Sequence, residues 1–244
     1  MGMITYRDFL DYKICDESYE TVVEEIKGNI DLDNQKVVLA FNPKKFVLAQ
    51  KDDNVKKALL DADILIPDGY GIIMGSKILG NNIHNRITGT DLVNKLFLHS
   101  ELKEFGFFIY GATEESVSKA VEIMKKRNIN VVGYANGYDY DDSFIINKIN
   151  ESKSKILLVA LGSPKQELFI YKHKKDLKYL NLIMGVGGTV DVISGYAKRA
   201  PVFFQKLGLE WLFRMVCNPN RFDENKENII TYIKEIITIK RGKK

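Results

Sequence analysis

The chain has 244 residues, of which 45% are hydrophobic and 28% charged, and its formal net charge is +4. This is an ordinary globular composition, and the length fits one large α/β domain with or without a small appendage. The two cysteines form no CxxC pair, no apolar run reaches the ~18 residues that span a membrane, and the N-terminal segment lacks the basic end and apolar core of a secretory signal. We therefore expect a cytoplasmic protein.

Short apolar runs alternate with helix-like segments along the chain. The predicted strands cover residues 37–40, 64–66, 107–110, 131–132, 156–161 and 180–186. A helix is predicted over 44–61, and another is capped by Thr113 and runs to Arg127. Continuous apolar strands, each followed by a Gly, Pro or Asp turn and a helix, indicate a parallel sheet. With helices on both faces of the sheet, the prediction is a Rossmann-like α/β fold.

The loops that follow these strands are expected to form the ligand site, because ligands of doubly wound sheets bind beyond the carboxyl ends of the strands. Those ends carry Asn42, Asp68, Gly111, Gly162, Gly187 and Gly188. A binding site assembled from several loops is the prediction.

Asp68 lies in ADILIPDGYGI, directly after a predicted buried strand and between a proline and a glycine. Aspartate is common in turns and as a helix cap, and a carboxylate at a strand end can also act as a general base on a hydroxyl. Both roles stay open at this point. The glycines Gly69, Gly71 and Gly75 only loosely resemble the dinucleotide fingerprint, and Asp68 would repel a pyrophosphate there. We therefore expect no nicotinamide cofactor.

Three pairs of aspartates, each separated by one residue, are candidate metal ligands. They are Asp31/Asp33, Asp61/Asp63 and Asp139/Asp141. Nucleotide-sugar enzymes use such pairs to hold Mg²⁺ or Mn²⁺ on a diphosphate, since these ions prefer oxygen ligands. Only Asp139/Asp141 follows a predicted strand, and a surface position is the favoured interpretation of that pair. We expect no metal site.

The motif GSPKQE, residues 162–167, follows the strongest predicted strand. Proline at the start of a helix and glutamate in its first turn are ordinary capping chemistry. Alternatively, the helix N-terminus faces a ligand, with Gln166 as a side-chain donor. Arg86 is a further candidate, since it precedes a helix capped by Thr88 or Thr90 and lies near the strand-end loops.

The C-terminal part of the chain is basic. From residue 198 to 244 there are eleven Lys and Arg and five Asp and Glu, a net charge of +6 that leaves −2 for the rest of the chain. Such a region favours an anionic partner, which is a nucleotide phosphate, a nucleic acid or an acidic lipid. The sequence contains no recognised nucleic-acid motif, so no nucleic acid is expected.

The same part carries apolar residues at near-helical spacing. They are Phe204, Leu207, Trp211, Leu212 and Met215, followed by Ile229, Ile233, Ile236 and Ile237. Such stripes usually make core contacts, although the neighbouring basic residues also fit a helix that lies on an anionic membrane. Both interpretations stay open, and an exposed apolar tail would favour a homo-oligomer.

Taken together, these motifs resemble the WecG/TagA/CpsF glycosyltransferases, glycosyltransferase family 26. The matching stretches are the Asn42-Pro43 loop, ADILIPDGYGI, RITGTDLV, FFIYGATEESV, GSPKQE, and GVGGTVDVISGYAKRAPVFFQKLGLEWLFRM with Pro219 and Arg221 after it. Each stretch alone is weak, but their order and the long final match make the resemblance specific.

The resemblance implies an inverting, metal-independent enzyme that needs no cofactor. It would move a sugar of the N-acetylmannosamine type from a UDP-sugar donor to a polyprenyl-diphosphate-linked amino sugar. The reaction would take place at the inner face of the bacterial plasma membrane, in wall teichoic acid, common antigen or capsule synthesis. A catalytic domain, residues 1–195, would be followed by a basic amphipathic appendage, residues 196–244, that serves as active-site lid and membrane contact.

The resemblance also implies roles for single residues. Asp68 would be the general base, with Arg86 and Gln166 beside it in the active site, while Arg214 and Arg221 would come from the appendage. The substrate-binding residues would be Asn42, Gly69, Gly111, Gly162, Gly187, Gly188 and Asp191, together with those two arginines. The chain departs from the family at Ala40, where a threonine is frequent. Two rival classes remain: a metal-dependent nucleotide-sugar enzyme, and a non-catalytic module that binds a nucleotide or a lipid head group.

Overall fold

A computed structural model describes residues 4–201, 203–204, 213 and 222–242. The strands are β1 Tyr6–Phe9, β2 Tyr12–Cys15, β3 Lys36–Phe41, β4 Ile64–Pro67, β5 Phe107–Gly111, β6 Val131–Ala135, β7 Ile156–Ala160 and β8 Leu182–Gly185. They form one sheet in the order β1-β2-β4-β3-β8-β7-β5-β6. The β1–β2 pair is antiparallel, and all other neighbours pair in parallel.

Helices cover both faces of this sheet. Within the described residues they are α1 Tyr19–Asp31, α2 Pro43–Lys51, α3 Asp53–Leu60, α4 Tyr70–Leu79, α5 Gly89–Leu96, α6 Ser100–Glu104, α7 Glu114–Lys126, α8 Asp142–Ser152, α9 Lys165–His173, α10 Thr189–Ser194 and α11 Phe222–Gly242. The first face packs against α1, α5, α6, α7 and α10, and the second against α2, α3, α4, α8, α9 and α11. The predicted Rossmann-like α/β fold is confirmed.

The strands are buried on both sides because their apolar side chains alternate between the two faces. In β3, Val38 and Ala40 point to the first face, while Val37, Leu39 and Phe41 point to the second. This is why parallel strands are continuous apolar runs in the sequence.

Two features differ from the prediction. The predicted helix 44–61 is two helices, because Asp52 takes an extended backbone and its side chain caps α3 by accepting from the Asn54 N–H. The β1–β2 hairpin was not predicted. Its strands have only four residues each, although Phe9, Tyr12 and Ile14 are fully buried. In contrast, Thr113 caps α7 as predicted.

Among the described residues of the C-terminal segment, Arg199 and the last helix contact the main body. Arg199 forms an ion pair with Asp91 at the start of α5. Helix α11 packs on α2 and α4, and its Tyr232 and Ile236 belong to the core of the second face. The last helix therefore completes the core, and the domain boundary at 195 stays a prediction. None of the helices in the described part of the chain combines the length and apolar composition that crossing a bilayer requires.

Candidate active site

The loops after β3 and β4 meet at the carboxyl edge of the sheet. The backbone N–H of Asp68 donates to the carbonyl of Phe41 at 2.8 Å, and the N–H of Ile87 donates to the carbonyl of Pro67 at 3.0 Å. These bonds tie the segments that carry Asn42, Asp68 and Arg86 to one another. The structure therefore brings these three residues together, while their roles in a ligand site stay predictions.

The three residues line one end of a groove with a volume of about 500 Å³. Its polar end also includes Lys44 and Gly69. The remaining walls are mainly apolar and come from α4 and α11. A general base would thus lie where a polar site meets an apolar channel.

Arg86 is held in place from two sides. Its guanidinium carbon lies 5.1 Å from the centre of the Tyr70 ring, which is the geometry of a cation–π contact. The preceding loop is fixed by Asp16, whose Oδ1 accepts from the backbone N–H groups of His84 at 2.8 Å and Asn85 at 2.9 Å. Arg86 therefore belongs to a segment that is anchored by the residue directly after β2, and its side chain stacks on Tyr70, the first residue of α4.

Asp16 was missed by the sequence analysis, although it follows β2 at the same edge of the sheet. Burial alone would raise the pKa of its carboxyl, but the hydrogen bonds from Asn85, His84 and Arg7 outweigh burial and hold that pKa well below its usual range. A carboxylate with this many donors stays ionised and fixes the loop that carries Arg86.

Asn42 and Gly69 shape the two helix starts at the groove. The Asn42 side chain accepts from the Lys45 N–H at 3.0 Å and so caps α2, with Pro43 at the first helical position. Gly69 precedes α4 with a φ of 95°, a conformation that favours glycine. Their predicted contacts with substrate stay predictions, whereas these structural roles explain the residue types.

Gln166 is only 2% exposed and lies between two other site segments. Its Nε2 donates to Glu167 Oε1 at 2.7 Å, and its Oε1 accepts from the Gly187 N–H at 2.9 Å. Glu167 in turn pairs with Lys45 Nζ at 2.7 Å, with side chains 0% and 5% exposed. These contacts allow Gln166 to hold the backbone of Gly187 in position. The predicted role of Gln166 as a donor to a ligand stays a prediction.

The Lys45–Glu167–Gln166 network joins the start of α2, the start of α9 and the glycine loop after β8. Burial would raise the pKa of the Glu167 carboxyl, but the charge of Lys45 and the hydrogen bonds outweigh burial and leave that pKa below its ordinary value. The Glu167 carboxyl is therefore ionised in the interior, beside Lys45. Breaking this pair would leave an uncompensated buried charge.

The glycine loops lie at the ends of β5, β7 and β8. Gly111 has a φ of 123°, and a Cβ at this position would lie 2.4 Å from the carbonyl carbon of Ala160. Gly187 has a φ of 52°, while Gly188 takes an ordinary φ of −71° and precedes α10. Gly162 has a φ of 73°. Glycine is therefore needed at position 111, where β5 and β7 approach each other at the carboxyl edge of the sheet.

Asp191 lies on α10 and contacts α7. Its Oδ1 accepts from the Ser116 hydroxyl at 2.6 Å, and this hydroxyl is also 3.0 Å from that of Ser194. Asp191 is partly buried, and its substrate contact stays a prediction. Arg214 and Arg221, the predicted donor-side arginines, lie outside the described residues.

Ala40, where the resemblance predicts a threonine, is 7% exposed and packs in the core of the first face. The groove lies on the second face, between helices α2, α4 and α11. The missing hydroxyl is therefore on the opposite face of the sheet from the groove.

The aspartate pairs have structural partners. Asp141 caps α8 by accepting from the Phe144 N–H, and Asp139 accepts from the Asn136 side chain at 2.7 Å. Asp33 pairs with Lys155, and Asp63 accepts from the Val37 N–H at 2.8 Å. Within the described ranges, no group of three or more His, Cys, Asp or Glu residues is arranged to hold a metal ion.

Comparison with known proteins covers almost the whole chain. A family model described as "Glycosyl transferase WecG/TagA/CpsF family" matches residues 7–240. An N-acetylglucosaminyldiphosphoundecaprenol N-acetyl-beta-D-mannosaminyltransferase of Bacillus spizizenii (strain W23) is 35% identical over 195 residues, which is 79% of this chain and 76% of the relative. A protein of the same name from Bacillus subtilis (strain 168) is 33% identical over 198 residues, 80% of this chain and 77% of the relative.

Proposed function

The chain belongs to the WecG/TagA/CpsF glycosyltransferase family, and we propose that it transfers an N-acetylmannosamine-type sugar from a UDP-sugar to a polyprenyl-diphosphate-linked N-acetylglucosamine. The names of the two Bacillus relatives support this acceptor and this sugar. The observation that carries the proposal is the groove itself. Asp68 and Arg86 share its polar end, and its walls continue as apolar side chains.

The proposed reaction is a single displacement in which Asp68 is the general base. The acceptor hydroxyl oxygen forms a bond to the anomeric carbon while the bond from that carbon to the UDP oxygen breaks. The hydroxyl proton passes to the Asp68 carboxylate, and UDP leaves from the opposite face, which inverts the anomeric configuration. A positioned base of this kind typically contributes about 10²–10⁴-fold in rate.

Arg86 supplies fixed positive charge next to this base. Its guanidinium presents paired donors that match a phosphate. The side chain is stacked on Tyr70 and its segment is anchored by Asp16, so Arg86 loses less conformational freedom when it binds a ligand. We assign Arg86 to the acceptor diphosphate. Arg214 and Arg221 are proposed to stabilise the leaving UDP, so that no metal ion is needed.

The membrane that holds such an acceptor is the proposed location of the enzyme. The segment 198–244 has a net charge of +6, and Phe203, Ile233 and Ile237 are 68%, 49% and 40% exposed. Basic residues beside exposed apolar side chains favour peripheral binding to anionic lipid at the inner face of the plasma membrane. We include self-association in the absence of membrane in this proposal.

One experiment tests the proposed function. The protein is incubated with a panel of UDP-sugars and with polyprenyl-diphosphate N-acetylglucosamine, with and without EDTA, and UDP release is measured. We expect release with an N-acetylmannosamine-type donor, only when the acceptor is present, and at the same rate in EDTA. Loss of activity in EDTA would instead favour a metal-dependent enzyme, and UDP binding without any release would favour a binding module.

A further inference from the structure

We propose that the groove between α4 and α11 binds the part of the acceptor's prenyl chain that adjoins the diphosphate. This inference rests on the proposed function, because it assigns a place to one part of the proposed acceptor. It goes further in naming the two helices that hold the hydrocarbon.

Two rows of apolar side chains face the groove. They are Tyr70, Met74 and Ile78 on α4, and Ile229, Ile233 and Ile237 on α11. Each row repeats every four residues, so each lies on one side of its helix. The rows stay accessible: Met74 is 56% exposed and Ile233 is 49% exposed. Continuous exposed apolar surface of this kind marks a binding surface.

The floor of the groove is fixed by core packing. The Tyr232 hydroxyl donates to the carbonyl of Gly71 at 2.8 Å. The Tyr232 ring packs edge-on against the Phe46 ring, with the ring centres 5.5 Å apart. The close approach needs Gly75, where a Cβ would lie 2.1 Å from the Tyr232 hydroxyl oxygen. The spacing of α4 and α11 is therefore set before any ligand binds, which lowers the cost of ordering a flexible chain there.

Charge and polarity change along the groove in the order that a prenyl diphosphate requires. Asp68 lies at the polar end with Arg86 and Lys44, and the apolar rows follow along α4. With the acceptor hydroxyl at Asp68, the anionic diphosphate meets the two cations, and the hydrocarbon continues between the rows. The volume of about 500 Å³ suits the first isoprene units. The rest of the chain stays in the bilayer.

The test compares acceptors that share the N-acetylglucosamine diphosphate head but carry either a methyl group or three isoprene units. Ile233→Asp places a charge in the α11 row, and Ile230→Asp is its matched control, since Ile230 has the same residue type, lies on the same helix and is 42% exposed but does not line the groove. We expect the ratio of kcat/KM for the long acceptor to that for the short one to fall about tenfold or more in Ile233→Asp. The ratio should be unchanged in Ile230→Asp.

A wild-type measurement keeps the proposal independent of how the variants fold. A diphosphate acceptor with a photoreactive diazirine in its first three isoprene units should label peptides of α4 and α11, and labelling confined to other peptides would overturn the proposal. An equal loss of kcat/KM for both acceptors in Ile233→Asp would also overturn the proposal. So would a changed sedimentation coefficient of this variant that accounts for the loss, because the groove would then be an interface between copies of the chain. If wild type releases no UDP with either acceptor, the proposed function itself fails.

Discussion

The site has two sides that differ in how their side chains are used. On the groove side, Asp68 and Arg86 line an accessible channel. On the glycine side, Gln166 and Glu167 are buried and bonded to each other, to Lys45 and to the backbone of Gly187. A motif residue near a site can therefore hold the backbone of another loop in place, as Gln166 does for Gly187. Variants on the glycine side should therefore lose mainly stability, whereas variants at the groove should lose mainly activity.

Removing the buried carboxylate should damage the glycine side most. Glu167→Ala leaves the Lys45 ammonium buried without its partner, so the free energy of unfolding should fall by about 3–5 kcal/mol in urea titration. The double variant Lys45→Met/Glu167→Leu replaces the pair by apolar groups of similar size and should recover most of that loss. A Glu167→Ala protein as stable as wild type would show that the network does not hold the loops.

Asp16→Asn should weaken the anchor of the Arg86 segment. We expect a loss of about 1.5–3 kcal/mol in the free energy of unfolding at pH 7, together with a raised acceptor KM. Because folding lowers the pKa of Asp16, its contribution is fully present above the unfolded pKa of about 4 and is lost as pH falls below it. The difference from wild type should therefore shrink in acid.

A matched control for this variant is Asp8→Asn. Asp8 lies on the neighbouring strand β1, and its side chain is 59% exposed and paired with Lys13. Its replacement should change stability by no more than about 1 kcal/mol. Equal effects of the two substitutions at all pH values would contradict the anchoring role of Asp16.

Gly111→Ala should strain the edge where β5 meets β7. The positive φ and the contact with the Ala160 backbone should lower the free energy of unfolding by about 1–3 kcal/mol. Gly188→Ala is the control, because Gly188 has an ordinary φ and an added Cβ would meet nothing within 4 Å. Denaturant titration of both variants measures the contrast. Similar stability for the two would remove the conformational argument for Gly111.

The smallest effect is expected at the end of α11. Arg241→Gln should weaken binding to vesicles that contain anionic lipid by about 1 kcal/mol, or about fivefold, and the difference should diminish at high salt. Lys175→Gln, an exposed lysine between α9 and β8, should leave vesicle binding unchanged. Equal binding of both variants and wild type would contradict a membrane contact at this helix.

The sequence predicts the sheet and the position of Asp68 well, because each buried strand is a continuous apolar run that ends in a recognisable turn. It predicts contacts between distant segments poorly. Asp16 and His84, which contact each other, are 68 positions apart. Lysine usually lies at the surface, so the sequence gives no sign that Lys45 is buried. In the sequence, Gly71 and Gly75 loosely resemble a nucleotide-binding fingerprint. In the structure, they leave room for Pro43 and Tyr232 to pack closely on α4. Such roles depend on which helices become neighbours, and a single sequence does not contain that information.

The proposed mechanism depends most directly on the Asp68 carboxylate at the polar end of the groove. Turnover of Asp68→Asn is measured as UDP release with saturating donor and prenyl acceptor, beside Asp31→Asn, an exposed carboxylate at the end of α1. We predict that Asp68→Asn turns over about 10²–10⁴-fold more slowly, with little change in UDP affinity. Asp31→Asn should match wild type. Normal turnover in Asp68→Asn would reduce Asp68 to a turn residue and contradict the mechanism.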